Sequence, residues 1–506
     1  MATEIEQKYE VPVDFVLDPG LTAAGATLGE PVVHQLVAVY YDTADLRLAA
    51  DRVALRRRTG GSDAGWHVKR YRGADDRDEV QLPLGRGAVV PAAVGAEVRA
   101  VSRGGALRPM VRMTTRRTEW PLAASDGTVL ALIADDEVTT DLIADPAAGQ
   151  HWRELEVELV EGGRELLRAV GKKLRKAGAT RSPDPNKIAR ALDGRWPDTD
   201  PVAGPPGSAA AVVGDYVRAQ RDTIVGYDPR VRRDEPDAVH KMRVATRRLR
   251  STFKTYRPLW DRAATDHLRA ELKWLAEVLG KVRDAEVMAA RLQRSLDRLP
   301  PELVIGPVAA RLTGGLRAQV AKDHRSLVTA LNGRRYGALL DELDALLAAE
   351  PTEHGLRPAA VYVPHRVKRI VATVNELLDV AEKAEPDVRP LPGVPDRDTA
   401  LHEARKSAKQ SRYAAEAAAP VGGEGAAALA AALEDLQELL GDQHDSVLTR
   451  DLLRKVALQA HAAGENAFTY GRLHLAEASS ATDIEAGLPA ARKALGRKKT
   501  VGWLTP

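Results

Sequence analysis

The chain has 506 residues, and its 44% hydrophobic and 29% charged residues are typical of a globular protein that buries sizeable cores. It contains no cysteine, which excludes disulfides, thiolate metal sites and cysteine nucleophiles. Its 74 basic and 71 acidic side chains give a formal net charge of only +3, so the distribution of charge along the chain is more informative than the total.

The N-terminal part, residues 1 to about 196, carries short segments of alternating polarity separated by Gly, Asp and Pro. A strand is predicted at each of eight segments: EIEQKYEV, QLVAVYYDT, VALRRRT, GWHVKRYR, DEVQLPL, MVRMTTRRTEWPL, TVLALIADDEV and WRELEVELV. A helix is predicted at residues 164–177, where apolar residues recur with helical spacing. Many strands with few helices favour an antiparallel sheet or barrel.

Three charged residues lie at alternating positions of the first predicted strand: Glu4, Glu6 and Lys8. Side chains two residues apart point to the same face of a strand, so two carboxylates and an ammonium share one face. Taken alone, this pattern is most typical of the solvated face of an edge strand.

The last predicted strand of this part has the same pattern. Glu154, Glu156 and Glu158 alternate with apolar residues, so the glutamates face inward if the apolar residues pack against an outer layer. Like charges on one inner face repel strongly unless cations neutralise them. Carboxylate oxygens are the ligands that Mg²⁺ and Mn²⁺ prefer, and the pattern therefore indicates a metal site.

Basic residues alternate on the strands between these two acidic segments. They are Arg56, Arg58, Lys69, Arg77 and Arg117. A barrel that holds guanidinium, ammonium and carboxylate groups inside has a poor hydrophobic core, but it is a good tunnel for a polyanion. Guanidinium groups bind phosphate through two parallel hydrogen bonds, and carboxylates hold a metal that bridges phosphate oxygens.

This succession of motifs resembles the CYTH family, whose members are called triphosphate tunnel metalloenzymes. The ExExK motif at residues 4–8 comes first, and YYDT, LRRR, the lysine strand, the RxE strand and ELEVE follow in the family's order. The resemblance covers residues 1 to about 196. It implies an antiparallel eight-stranded tunnel that binds triphosphate compounds with a divalent metal, Mg²⁺ or Mn²⁺.

The resemblance also implies roles for residues of this chain. The implied metal ligands are Glu4, Glu6, Asp136, Glu154 and Glu156. The implied phosphate-binding residues are Lys8, Arg56, Arg58, Lys69, Arg77, Arg117 and Lys187. The residues expected to serve catalysis, by holding metal or orienting water, are Glu4, Glu6, Lys8, Glu156 and Glu158. Asp135 is the out-of-phase alternative to Asp136, and the sequence leaves that choice open.

Phosphoryl transfer depends on in-line geometry and on neutralisation of the phosphate oxygens, so we expect direct attack by water. Inorganic triphosphate, thiamine triphosphate, nucleoside triphosphates and a cyclising ATP are all compatible with the family. A base or thiazole ring would need aromatic contacts, and this part of the chain offers few. They are Tyr40, Tyr41, Trp66, Trp120 and Trp152. This scarcity favours inorganic triphosphate.

The pattern changes after a segment rich in Pro, Gly and small residues, which predicts a linker at residues 197–208. Beyond it, Ala, Leu, Arg and Glu recur with a period near 3.6, so residues 209–500 are expected to be helical. A second break at residues 385–398 divides this part into repeats at about 209–384 and 399–500.

The two helical repeats carry the same motifs. HKMRVATRRLR begins at His240, and His402 has the same place in LHEARKSAKQSR, at a shift of 162 residues. LAEVLGKVRDAEV recurs as LQELLGDQHDSVL, which pairs Gly280 with Gly441. Because both blocks recur in the same order, we interpret them as an internal duplication.

Basic residues at spacings of three and four form one stripe along a helix. The first stripe is His240, Arg243, Arg247, Arg250 and Lys254, and the second is His402, Arg405, Lys409 and Arg412, with Lys406 beside it. Like charges at this spacing destabilise a helix, so acids on neighbouring helices or a bound polyanion must offset the repulsion. A solvated face and a zinc site at the histidines are the alternatives, and the duplicated spacing argues against the first.

These paired blocks resemble the CHAD domain, a helical domain named for its histidines. The resemblance covers residues 209 to about 500 and implies two pseudo-symmetric four-helix units that bind inorganic polyphosphate in a basic groove. The second copy is less basic, because Lys409 and Gln410 stand where the first has Arg247 and Arg248. His444 likewise stands where the first copy has Arg283.

The sequence therefore predicts a two-domain α+β chain, with an antiparallel eight-stranded barrel before an all-α part of duplicated four-helix bundles. We expect a cytoplasmic, metal-dependent inorganic triphosphatase joined to a polyphosphate-binding domain, with association to polyphosphate granules as a further expectation. No membrane partner is expected, and aromatic residues at 4% argue against nucleic acid. The alternatives are a catalytically idle polyphosphate scaffold, a nucleoside or thiamine triphosphatase, and an adenylate cyclase.

Overall fold

The computed structural model of the protein describes residues 2–12, 14–71, 75–85, 87, 89–184, 186–195, 197, 204–383 and 397–504, with the backbone alone at 2, 3, 146, 398, 442–444, 447 and 480–486. The chain divides into two compact units, Met1–Asp200 and Pro201–Pro506, which we call the barrel unit and the helical unit. The predicted linker at 197–208 and the predicted break at 385–398 lie largely outside the described residues.

The barrel unit is built from strands that alternate in polarity, as the sequence predicts. Its strands are β1 (Ala2–Glu10), β2 (Thr22–Ala23), β3 (Ala26–Leu28), β4 (Val32–Asp42), β5 (Val53–Thr59), β6 (Gly65–Tyr71), β7 (Asp76–Leu82), β8 (Arg108–Ala123), β9 (Val129–Leu142), β10 (His151–Leu159) and β11 (Thr180–Arg181). The helices beside them are α1 (Arg47–Ala50), α2 (Ala92–Glu97), α3 (Arg99–Ser102), α4 (Arg164–Lys176) and α5 (Lys187–Leu192).

Eight of these strands close into an antiparallel barrel. Their order around the ring is β8-β4-β5-β6-β7-β1-β10-β9, and β9 pairs again with β8. The β2–β3 hairpin extends from β8, and β11 pairs with the end of β1. This closed barrel confirms the predicted fold of the N-terminal part and leaves the ring without a free edge.

The alternation along β10 separates the outer core from the barrel interior. Leu155 and Val157 are buried against apolar residues of α4, including Val170, in the outer hydrophobic core. Burial of such a side chain stabilises the fold by about 1.5–3 kcal/mol. The intervening glutamates must then point inward, which is the arrangement that the sequence pattern predicts.

The helical unit is all-α over its described residues, as predicted. Its helices are α6 (Ala209–Arg232), α7 (Ala238–Thr255), α8 (Arg262–Asp297), α9 (Val308–Asn332), α10 (Arg334–Ala348), α11 (Ala359–Lys383), α12 (Arg397–Ala417), α13 (Ala419–Ala462), α14 (Phe468–Leu495) and α15 (Lys498–Val501). Ser208 and Asp261 cap α6 and α8, because each side chain accepts a hydrogen bond from a first-turn amide. Among the described residues, none of the helices has both the length and the apolarity needed to cross a membrane.

Two sets of helices in this unit pack in the same order. Helices α6 to α9 pack each against the next, and α11 to α14 do the same. The Arg243 guanidinium lies over Gly280, 3.5 Å from the position of an added Cβ, and Arg405 lies over Gly441 at 3.3 Å. The repeat limits stay a prediction, and this packing favours a division before α11 rather than at the predicted break.

The basic helices α7 and α12 contact each other inside the helical unit. Glu416 links them, because it accepts hydrogen bonds from Arg248 of α7 at 3.0 Å and from Arg412 of its own helix at 3.0 Å. The hydroxyl of Tyr216 on α6 donates to the same carboxylate at 2.8 Å. One carboxylate therefore bridges an arginine of α7 and an arginine of α12.

Candidate functional site

A polar cavity with about 760 Å³ of atom-free space lies inside the barrel. All eight ring strands and α5 contribute side chains to its lining. The predicted site residues that it brings together are Glu4, Glu6, Lys8, Arg56, Arg58, Lys69, Arg77, Arg117, Asp136, Glu156, Glu158 and Lys187. Glu154 lies just beyond the lining, where it contacts Lys187.

Strand register explains why acidic and basic groups meet in this cavity. Lys8 stands directly opposite Glu156, and Glu6 stands opposite Glu158, across the β1–β10 pair. Directly opposed residues of an antiparallel pair lie on the same face, so these side chains are forced into one space. Glu6 is compensated there, because it pairs with Arg77 and lies 3.4 Å from the ammonium of Lys8, whereas Glu158 has no such partner among the described residues.

The structure also places Asp136, rather than Asp135, inside the barrel. Asp136 is fully buried and accepts two hydrogen bonds from Arg117, at 2.8 and 2.7 Å. Asp135 lies on the opposite face and pairs with Arg153 at 2.7 Å. The alternative that the sequence left open is thus resolved in favour of Asp136.

Three buried carboxylates, Asp136, Glu154 and Glu156, form a group that we call the acidic trio. One oxygen from each lies within 4.8 Å of the others, which is close enough to hold a metal ion. The ammonium of Lys187 lies among them, 2.9, 2.7 and 2.6 Å from the three carboxylates. The indole of Trp152 donates to the other oxygen of Glu154 at 2.7 Å.

Neighbouring cations keep Glu156 ionised although it is buried. Burial alone would raise the pKa of Glu156, but the charges of Lys187, Lys8 and Arg117 outweigh it and hold the pKa well below its usual range. Arg117 donates to Glu156 at 2.6 Å, and Lys8 pairs with it at 2.7 Å. The trio and its three neighbouring cations are therefore balanced in charge.

A second carboxylate group, Glu4, Glu79 and Glu158 of β1, β7 and β10, has fewer cations, since Glu4 and Glu79 share the ammonium of Lys69. Burial, with a hydrogen bond to Glu79, raises the pKa of Glu4 to about 8, although Lys69 lies 2.6 Å away. Burial and the charge of Glu6 raise the pKa of Glu158, which forms no ion pair with any described residue. A divalent cation fits this donor set, because carboxylate oxygens in excess of cations are its preferred ligands.

The arginine side of the cavity has the opposite imbalance. Burial, followed by the charges of Arg56 and Arg117, lowers the pKa of Arg58 to about 9. Arg58 contacts Asp63 of the β5–β6 loop, and Arg56 donates weakly to the Tyr40 hydroxyl at 3.5 Å. Cations that repel one another inside a barrel provide a site for an anion.

Sequence reasoning missed two features of the wall. His67 is buried on β6, with Nδ1 2.6 Å from Glu79 and Nε2 2.9 Å from the carbonyl oxygen of Asp63. The sequence could have indicated this, because His67 lies two residues before Lys69 and residues two apart share one face of a strand. Of the five aromatic residues that the sequence offered as contacts for a substrate ring, Tyr40 alone lines the cavity. Tyr71, which was not among the five, lines it as well.

The helical unit holds a second cluster of cations where α7 meets α12. We call Arg243, Arg247, Arg405 and Lys409 the cation cluster; both repeats contribute to it. Burial, then the charges of Arg405 and Arg247, lowers the pKa of Lys409 to about 7. Burial and the neighbouring guanidinium groups also lower the pKa of Arg247. Arg243 pairs with Asp284 at 2.9 Å, and Asp445 offsets the repulsion at Lys409 only in part, so the cluster keeps a net positive charge.

The remaining residues of the two predicted stripes have different surroundings. Arg250 and Lys254 are exposed further along α7. Arg412 pairs with Glu434 at 2.7 Å as well as with Glu416, and the exposed Lys406 pairs with Glu403 at 2.7 Å. His240 and His402 are half-buried at the start of the two stripes. The stripes therefore converge at their centres, and Arg412 is tied to acids.

The sequence matches the family models of two domains in succession, the CYTH domain over residues 2–192 and the CHAD domain over residues 215–454. The chain belongs to the family of CYTH–CHAD proteins. The CYTH domain is a triphosphate tunnel metalloenzyme, so its barrel binds triphosphate compounds and depends on a divalent metal. The buried acidic trio is consistent with that dependence.

Known proteins are similar to this chain over all or part of its length. The uncharacterized protein Rv2226 of Mycobacterium tuberculosis (strain H37Rv) is 37% identical over 511 residues, covering 98% of this chain and 96% of the relative. PptA from Streptomyces chartreusis is a similar structure, with a TM-score of 0.44 at 24% identity over 57% of this chain and 100% of its own. The CHAD domain from Ricinus communis gives a TM-score of 0.42 at 23% identity, covering 58% and 94%.

Proposed function

We propose that the CYTH domain hydrolyses inorganic triphosphate with Mg²⁺ or Mn²⁺, and that the CHAD domain binds inorganic polyphosphate. The observation that carries the first part is the cavity, where Arg56 and Arg58 lie close together and Glu158 forms no ion pair with a described residue. A triphosphate with its metal supplies both missing charges, because the phosphate oxygens pair with the guanidinium groups and the cation pairs with the carboxylates.

The lining of the cavity favours a substrate without a ring. Tyr40 and Tyr71 are its aromatic side chains, and the charges around Tyr40 are those of arginine and lysine. Tyr41 and Trp66 contact each other with their rings tilted at 49° and 5.1 Å between centroids, and neither lines the cavity. Inorganic triphosphate needs only the cations, so it fits this lining better than a nucleotide or thiamine triphosphate.

The basic and the acidic side chains of the cavity have different roles in this proposal. Arg56, Arg58 and Arg117 bind the phosphate oxygens and hold the chain of phosphates in line for attack. Glu4 and Glu6 hold the divalent cation, which when bound neutralises the phosphate oxygens. The remaining predicted ligands, Asp136, Glu154 and Glu156 of the acidic trio, form a second metal site beside the first in this proposal. Glu158 orients the attacking water, since among the described residues its carboxylate has no cation of its own.

Metal-dependent phosphate release from inorganic triphosphate tests the enzyme assignment. The Glu4→Gln and Glu6→Gln double variant should lose at least about 100-fold in kcat, because neutral amides are poor ligands for Mg²⁺. The matched control is Glu137→Gln, which removes a carboxylate from the outer face of β9. Full activity in the double variant would show that these carboxylates do not serve the reaction.

Polyphosphate binding rests on the cation cluster, in which two repeats bring like charges together. Reversal of all four charges, Arg243→Glu, Arg247→Glu, Arg405→Glu and Lys409→Glu, should abolish polyphosphate binding and leave triphosphate hydrolysis intact. A control with the same change in net charge reverses four exposed cations elsewhere in the unit, Arg298, Lys322, Arg325 and Arg334. Equal losses in both variants would mean that net charge alone attracts the polymer.

A further inference from the structure

The ammonium of Lys187 occupies the position that a metal ion would take in the acidic trio. It is 8% exposed and lies 2.6 to 2.9 Å from one oxygen of each carboxylate. Metal–oxygen bonds to Mg²⁺ are about 2.0–2.1 Å long, so a cation bound to the same three oxygens would fall on almost the same point. The ammonium and a divalent cation therefore cannot bind the trio together.

We infer that Lys187 and the divalent cation exchange at the acidic trio: Lys187 closes the empty site, and on metal binding its ammonium moves into the cavity to contact the triphosphate. This inference rests on the proposed metal-dependent hydrolysis, and it concerns where the lysine is in each state. Lys187 therefore competes with the cation in the free protein and becomes a ligand of the substrate once the cation is bound.

The charge count around the trio supports this exchange. The three carboxylates carry three negative charges, and three cations contact them: Lys187, Lys8 and Arg117. A divalent cation added to this balanced group would meet the ammonium at contact distance, where repulsion is strong in a buried site. Departure of Lys187 removes that repulsion and leaves an extra positive charge in the cavity for a polyanion.

The surroundings keep the carboxylates in place when the lysine leaves. Trp152 holds the second oxygen of Glu154, and Arg117 binds both oxygens of Asp136. The backbone of Lys187 is fixed as well, because Asn186 caps α5 by accepting a hydrogen bond from the Ala189 amide at 2.8 Å. Only the flexible four-carbon side chain has to move, and it already lines the cavity.

Manganese affinity in the absence of substrate tests the exchange. Free Mn²⁺ is measured by electron paramagnetic resonance during titration of the full chain, as wild type and as Lys187→Met. The variant should bind Mn²⁺ at least about fivefold more tightly, since the cation no longer competes with an ammonium. Its KM for triphosphate should rise at the same time, because the substrate loses one ligand.

Arg58→Met is the matched control, since it removes one positive charge from the same cavity without touching the trio. Unchanged or weaker Mn²⁺ binding in Lys187→Met, or an equal gain in Arg58→Met, would overturn the exchange. Thermal unfolding with and without Mn²⁺ checks that each variant folds, and Lys187→Gln provides a second reading with a polar side chain. If the wild type hydrolyses triphosphate without any divalent cation, the proposed function itself is wrong. If hydrolysis depends on Mn²⁺ but Lys187→Met leaves the Mn²⁺ affinity unchanged, only the exchange is wrong.

Discussion

Polyphosphate binding should lose affinity between pH 7 and pH 9 because of Lys409. Burial and the charges of Arg405, Arg247 and Arg243 keep its pKa at about 7 in the free protein, while Asp445 opposes them only in part. A phosphate chain in the cluster would restore an ordinary lysine pKa of about 10.4, so binding takes up a proton above pH 7.

The size of this effect follows from the two protonation states. The lysine pKa is raised on binding, so full affinity is present below the free-state value and declines as the pH rises through it. From pH 7 to pH 9 the affinity should fall by about 50-fold, or roughly tenfold per pH unit at the upper end. The window lies above the range in which ordinary histidines titrate, and burial lowers the pKa of His240 further, which separates Lys409 from that histidine.

Fluorescence polarisation of labelled long-chain polyphosphate, at constant ionic strength, measures the slope. Lys409→Arg is the control, because arginine remains charged throughout this range and should flatten most of the pH dependence. It also restores the residue that the first repeat carries at the equivalent position, Arg247. The same slope in wild type and Lys409→Arg would refute the assignment of the proton to Lys409.

Three further predictions concern stability and the groove. Leu155→Ala should cost about 2–5 kcal/mol in urea unfolding of the barrel unit, because the leucine is fully buried in the outer core; a cost below 1 kcal/mol would contradict that packing. Glu416→Gln should lower the stability of the helical unit by about 1.5–3 kcal/mol, since two arginines share its charge; an unchanged urea midpoint would show that these bonds contribute nothing. Gly280→Leu and Gly441→Leu should each weaken polyphosphate binding about fivefold by displacing the guanidinium above them, and unaltered affinity in both would place the polymer elsewhere.

Strand alternation made most of the cavity predictable. Charged residues at every second position of β1 and β10 could face only one way once the apolar residues between them packed under α4. The sequence did not predict which residues of β9 face the barrel interior, because Asp135 and Asp136 are both acidic. Its pairing with Arg117 on β8 settles the phase, and strand pairing is a tertiary property.

The sequence could not predict the contacts of Lys187 or which residues of the basic stripes pair with acids. The residue types predict a phosphate ligand at Lys187, whereas its docking among three carboxylates depends on where α5 lies. Helical spacing predicts one stripe per helix, and it cannot say which neighbouring helix supplies an acid. Glu416 neutralises Arg412 at the end of its stripe, while Arg405 and Lys409 remain facing the first repeat.

Phosphate release from inorganic triphosphate with Mg²⁺ or Mn²⁺ is the most direct measurement of the central claim, with ATP, thiamine triphosphate and long-chain polyphosphate run in parallel. We expect rapid phosphate release from triphosphate, loss of that release on chelation of the metal, and slower release from every other compound. No release from any substrate by a folded, polyphosphate-binding protein would contradict it and would leave a binding scaffold. Faster turnover of ATP or thiamine triphosphate would contradict the choice of substrate.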